Sequence, residues 1–184
     1  MFGESNGTVT GPLKGVKVLD WTMWQFGPVA SSMLGDMGAD VIKIEALDGD
    51  VGRNVSSLES AKAGMSGGRN AYFETCNRNK RGLAVNLKTA EGRKVLHKLV
   101  ETADVVVQNF RQGVAERLEM DYETLKKINP KIVYASASGF GPEGPDSGQG
   151  SLDACGQARA GLMMSATPSW AKHPISIRGA PSAP

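Results

Sequence analysis

Short apolar runs alternating with stretches of helical spacing leave this chain few ways to fold. The runs occupy residues 16–20, 40–44, 83–87, 104–107 and 132–136. Asp104-Val105-Val106-Val107 is of the kind buried on both faces of a parallel sheet. Between the runs, Pro28 sits where a first helical turn tolerates a missing N–H, Val29, Met33 and Met37 keep helical spacing, and Gly38 closes the helix. Thr89 caps a helix predicted to turn Val95, Leu96, Leu99 and Val100 inward. A short helix is expected over 111–118. Asp121 caps the next, with Leu125 and Ile128 inward, and Asn129-Pro130 stops it. A last helix is predicted from 152 to about 164, with Asp153 as its N-cap.

Such alternation implies an α/β, Rossmann-like architecture, a mostly parallel sheet with flanking helices. The expected organisation is a flexible arm over 1–12, an α/β domain over 13–166 and an irregular, proline-containing tail over 167–184. Residues 45–75 hold no period and are rich in Gly, Ser and Asn, which reads as a long functional excursion. A net charge of +2 is too small for a global nucleic-acid footprint. Two cysteines far apart, Cys76 and Cys155, fit a reducing cytoplasm and neither a disulfide framework nor a metal site. No signal-like start and no run of membrane-spanning length occur in the sequence, so the expectation is a cytoplasmic protein without membrane, nucleic-acid or metal partners.

Any anion site must therefore be local. Arg78, Lys80 and Arg81 lead into the 83–87 run, and Lys88 follows it. The run would hold these cations on one polyanionic small molecule; the other reading is a solvated basic turn. Ligands of open α/β sheets bind beyond the carboxyl ends of the strands. There Asn109 offers an amide, Phe110 an aromatic face for a purine, and Arg117 a cation a turn or two further on. Trp21 and Trp24 flank the first strand end. No G-x-G-x-x-G follows that strand and no P-loop motif occurs, which argues against a dinucleotide fingerprint and a P-loop hydrolase. His97 is expected to face water, Cys155 to pack within its helix, and Met163 and Met164 to lie in the core.

The block Leu13-Lys14-Gly15-Val16-Lys17-Val18-Leu19-Asp20, then Gly27-Pro28 and Gly38-Ala39-Asp40-Val41-Ile42-Lys43-Ile44-Glu45, resembles the start of a class III CoA-transferase. The likeness continues through 77–81, 103–110, 129–134, 138–141, Asp153 and Gly161-Leu162-Met163. Members include formyl-CoA transferase, carnitine CoA-transferase and α-methylacyl-CoA racemases. The resemblance implies a CoA-binding α/β domain, interlocked homodimers, and coenzyme A or acyl-CoA with a small carboxylic acid as substrates. It implies that CoA is held by Val85, Lys88, Asn109, Phe110 and Arg117, with Arg78 and Arg81 as further phosphate contacts, and that Gln25 lies near the reacting thioester. In the family an aspartate attacks the acyl-CoA carbonyl, forms a mixed anhydride and releases the CoA thiolate.

This chain departs from the family in several places. The resemblance puts the nucleophilic aspartate after the segment 174–181, at or just beyond Pro184, and full-length members are at least about twice as long. Ala46 stands where the formyl-CoA branch has arginine, and Leu152 where the racemases have a catalytic histidine. The expectation is the N-terminal, CoA-binding part of a CoA-transferase, catalytically incomplete as this chain. The alternative is a free-standing CoA- or nucleotide-binding or structural dimerisation module without catalysis.

Overall fold

The computed structural model describes residues 11–53, 64–65 and 69–175. They divide into two compact units, one ending at Ala137 and one beginning at Ser138. In the first, β1 (Lys17–Trp21), α1 (Phe26–Asp36), β2 (Asp40–Glu45), a hairpin of β3 (Gly64–Met65) and β4 (Arg69–Asn70), and α2 (Ala71–Cys76) precede β5 (Lys80–Ala84). Then come α3 (Ala90–Val100), β6 (Val105–Gln108), α4 (Val114–Arg117), α5 (Tyr122–Ile128) and β7 (Val133–Ser136). Five of the strands form one sheet in the order β5-β2-β1-β6-β7, and every pairing in it is parallel.

Alternation along the strands builds a core on each face. Leu19, Trp21, Ile44 and Val106 pack with Leu96 and Val100 of α3 and Leu125 of α5. Val18, Val41 and Val107 form the other core with Ala39, and Leu34 of α1 packs against it. The strand order reverses direction between β1 and β6, so their carboxyl ends diverge there and leave a crevice.

Several elements differ from the sequence expectation. β5 begins three residues earlier than the predicted 83–87, because its ladder with β2 pairs Val41 with Lys80 and Glu45 with Ala84. Lys80 and Arg81 are thus strand residues, and Val85–Leu87 leave the sheet. Within the aperiodic 45–75 stretch, α2 forms on a local cap: Asn70 Oδ1 accepts from Tyr72 N (2.9 Å) and Phe73 N (3.3 Å). α3 buries Gly92, Leu96 and Val100, whereas Val95 is 49% exposed, being rotated off that face. A Cβ at Gly92 would lie 2.0 Å from Asn86 O, so this helix rests directly on the turn before it.

The second unit replaces the expected single helix with α6 (Asp153–Arg159) and α7 (Leu162–Ala166), separated at Gly161, whose φ is +74°. Asp153 is the first helical residue and Leu152 the cap; Asp153 Oδ2 instead accepts from Gln157 Nε2 at 2.5 Å. Cys155 and Met164 are exposed rather than packed. Residues 176–184, where the nucleophile segment was expected, lie outside the described residues. No helix among those described is long and apolar enough to cross a membrane.

Candidate functional site

A cavity of about 450 Å³ opens at the carboxyl ends of the strands. Its lining comes from Trp21 to Met23 after β1, Ile44 to Asp50 around the end of β2, Val85 to Lys88 after β5, Phe110 after β6, and Leu118 after α4. Val85, Lys88 and Phe110, predicted from far-apart stretches, are therefore brought to one wall system. Phe110 packs on Trp21 with ring centroids 4.4 Å apart, which fixes the apolar floor between β1 and β6.

The wall carrying Lys88 is held from below. Asn86 Oδ1 accepts from Lys88 N (3.1 Å), and Thr89 Oγ1 accepts from Gly92 N (3.1 Å) to start α3. Arg93 Nη1 donates to Leu87 O and Lys88 O at 3.2 and 3.3 Å. The Lys88 side chain is exposed and has no carboxylate partner among the described residues. A flexible, hydrated ammonium on a rigid backbone suits a phosphate as a point charge.

The other predicted cations sit elsewhere. Arg78 and Arg81 lie at the amino end of β5, exposed, where Arg78 pairs with Asp36 (2.5 Å) and Arg81 with Asp40 (2.6 Å). Neither lines the cavity; Arg81 borders a second groove, at the amino ends of β2 and β5, with Lys14 and Asn79. Lys80 is interior: its Nζ lies 2.7 Å from Asp20 Oδ2 and from Pro28 O, 3.0 Å from Asn77 Oδ1 and 3.2 Å from Cys76 O. Burial pushes the Lys80 ammonium below its ordinary value, and the Asp20 carboxylate opposes that push. Asp20 in turn accepts from Ser31 Oγ (2.8 Å) and from Thr22 Oγ1.

Gln25 belongs to the turn after β1, and Asn109, at the exit of β6, is bonded to that turn. Asn109 Oδ1 accepts from Met23 N (2.9 Å) and its Nδ2 donates to Met23 O (2.8 Å), so both ends of the amide are engaged with backbone. Gln25 precedes α1 as its N-cap residue without a side-chain cap bond, half-buried and outside the cavity lining. Trp24 is likewise not among the lining residues, whereas Trp21 is. Arg117 is exposed at the end of α4, one residue from the lining Leu118, and its Nη1 lies 3.4 Å from an ideal Cβ at Gly113. His97 does not simply face water: its Nε2 is 2.8 Å from Glu119 O, and Arg93 meets the Glu119 carboxylate at 3.2 Å.

The sequence reading passed over the acidic side of the cavity. Lys43 Nζ meets Asp50 Oδ2 at 2.8 Å, both almost fully buried. Arg53 grips Glu45 with Nε at 2.8 Å and Nη2 at 2.7 Å. Burial works against ionisation of Glu45, and the Arg53 fork outweighs it, leaving the carboxyl below its usual value. Arg53 also stacks on Phe73, 3.7 Å from the ring centroid. A signal was present for Lys43: a lysine inside the apolar strand Asp40–Glu45 must find a buried partner.

Comparison with known proteins adds to this geometry. The family model described as CoA-transferase family III matches residues 13–180. The chain is 42% identical over 163 residues to an acyl-CoA transferase of Fusarium pseudograminearum, covering 87% of this chain and 36% of the relative. It is 42% identical over 157 residues to a succinyl-CoA:mesaconate CoA-transferase of Haloarcula marismortui, covering 83% of this chain and 39% of the relative. Among solved structures, a CAIB/BAIF family protein from Brucella suis superposes with a TM-score of 0.82 at 37% identity, over 92% of this chain and 44% of that one. Rv3272 from Mycobacterium tuberculosis gives 0.82 at 32% identity, over 94% and 45%. The chain thus spans 36–45% of the length of these relatives.

Proposed function

The chain belongs to CoA-transferase family III, and on that premise we propose that the unit ending at Ala137 binds the nucleotide end of CoA or an acyl-CoA in the cavity beyond β1, β2, β5 and β6. The observation that carries the reading is the meeting of Val85, Lys88 and Phe110 around that one cavity. Val85 and Phe110 supply apolar walls for the adenine ring, and the Lys88 ammonium meets a phosphate. Arg117 adds a second cation beyond Leu118. Asn109 contributes through the backbone it holds, and Arg78 and Arg81 stay with Asp36 and Asp40.

The larger activity is CoA transfer between small carboxylic acids in a cytoplasmic homodimer. The covalent step falls to the aspartate that the family resemblance puts at or just beyond Pro184, so binding is the function assigned to the described unit. Calorimetric titration of CoA into the purified chain, followed by assay of acyl transfer from a panel of acyl-CoA donors, tests this. Saturable binding that weakens with salt and on Lys88→Ala supports it. No heat at millimolar CoA would sink it, and binding without turnover selects the module without catalysis.

A further inference from the structure

We propose that Lys43, Asp50 and Asn109 are positioning residues that jointly hold the turn after β1 in the single form that floors the cavity and presents Gln25. The inference rests on the CoA reading above for its functional consequence, and on geometry alone for the clamp itself.

Thr22, Met23 and Trp24 are each held by a side chain from a different segment. Lys43 Nζ, from β2, donates to Thr22 O at 3.0 Å. Asn109, from the exit of β6, takes both Met23 N and Met23 O. Asp50, from the loop after β2, accepts from Trp24 N at 3.3 Å and from Gly52 N at 2.8 Å through Oδ1, while its Oδ2 pairs with Lys43. Thr22 is also blocked from behind, since a Cβ at Gly27 would come within 2.4 Å of its Cγ2.

The turn needs this much restraint. Trp24 has φ of +66°, a left-handed conformation that a bulky side chain avoids. Such a residue persists only where its surroundings over-determine it, and strained residues of this kind gather at functional sites. The turn meets both conditions: Thr22 and Met23 line the cavity, and Gln25 follows Trp24 directly. Asn109 is not among the lining residues and bonds Met23, which is, so it acts on ligand through Met23.

The test combines amide hydrogen exchange with CoA titration on the whole chain. Asn109→Leu keeps the branched side-chain shape and removes both bonds to Met23. Exchange at the Met23 and Trp24 amides is expected to accelerate about tenfold or more. CoA affinity is expected to fall about tenfold. Adding Trp24→Asn, which tolerates a positive φ, is expected to recover much of the affinity although no bond to Asn109 returns. If Asn109→Leu fails to fold, Asn109→Asp, which keeps the acceptor for Met23 N and loses the donor to Met23 O, replaces it. Unchanged exchange in the Asn109 variant overturns the clamp. So does an affinity loss that Trp24→Asn leaves untouched, because a merely structural defect predicts no such rescue. If the unmodified chain binds no CoA, the functional reading falls, and exchange at Met23 and Trp24 still decides the clamp.

Discussion

The two ends of β5 carry cations that face opposite fates. At its amino end Arg78, Lys80 and Arg81 are each matched to a carboxylate supplied by the β1–α1–β2 unit, namely Asp36, Asp20 and Asp40. Beyond its carboxyl end Lys88 stands on a braced backbone at a cavity with no carboxylate partner among the described residues. In sequence the first three form the denser basic cluster, yet they answer internal charge. Which cations are paired is set by what the fold brings beside them, not by their company along the chain.

The contrast can be broken in graded steps. Lys80→Met should cost the most, about 3–5 kcal/mol in urea unfolding, because it strands the fully buried Asp20 without its counter-charge. Lys88→Ala should leave the unfolding midpoint unchanged and raise the CoA dissociation constant about tenfold at low ionic strength. That loss should shrink in concentrated salt, where the phosphate contact is already screened. Arg81→Ala should do neither: its exposed pair with Asp40 contributes at most about 1 kcal/mol, and CoA affinity should stay as it was. An Arg81 variant that weakened CoA binding as much as the Lys88 variant would erase the distinction between the two ends.

Asp36→Asn gives the smallest effect and carries a pH signature. The hydrogen bond from Arg78 holds the Asp36 carboxyl below its usual 3.8, with burial opposing. A lowered folded value means that the pair stabilises the fold above about pH 3.8 and stops doing so as pH falls through the folded value. The difference in stability between wild type and Asp36→Asn should therefore be present at neutral pH and vanish in acid. A difference that persisted once the Asp36 carboxyl is protonated would point to packing in place of charge.

Much of the sheet could be read from the chain because its central strands β1, β2 and β6 are largely buried and so stand out as apolar runs. β1, β2, β6 and β7 overlap the predicted runs closely. β5 is an edge strand whose paired residues include Lys80, Arg81 and Gly82, so its apolar content lies in the wall it leads into. α2 escaped notice because six residues carry too little period to announce a helix, and only the Asn70 cap marks its start. Val85, Lys88 and Phe110 were reachable from strand ends and from resemblance. The buried partner of Lys43, Asp50, and the second role of Asn109 were not, since each depends on a residue more than five positions away or on the turn's conformation.

By itself the sequence determined the alternation of strand and helix, the family, and the stretches from which a site could be drawn, because these depend on local pattern. Only the tertiary structure decided which charges cancel. Pairing of Lys80 with Asp20, and of Arg81 with Asp40, depends on β5 lying beside β2 and β2 beside β1, in a register that residue order does not state. Coulomb attraction acts through space and burial sets its strength, so it could be seen only in the folded chain that Lys88 reaches the cavity with no carboxylate partner among the described residues.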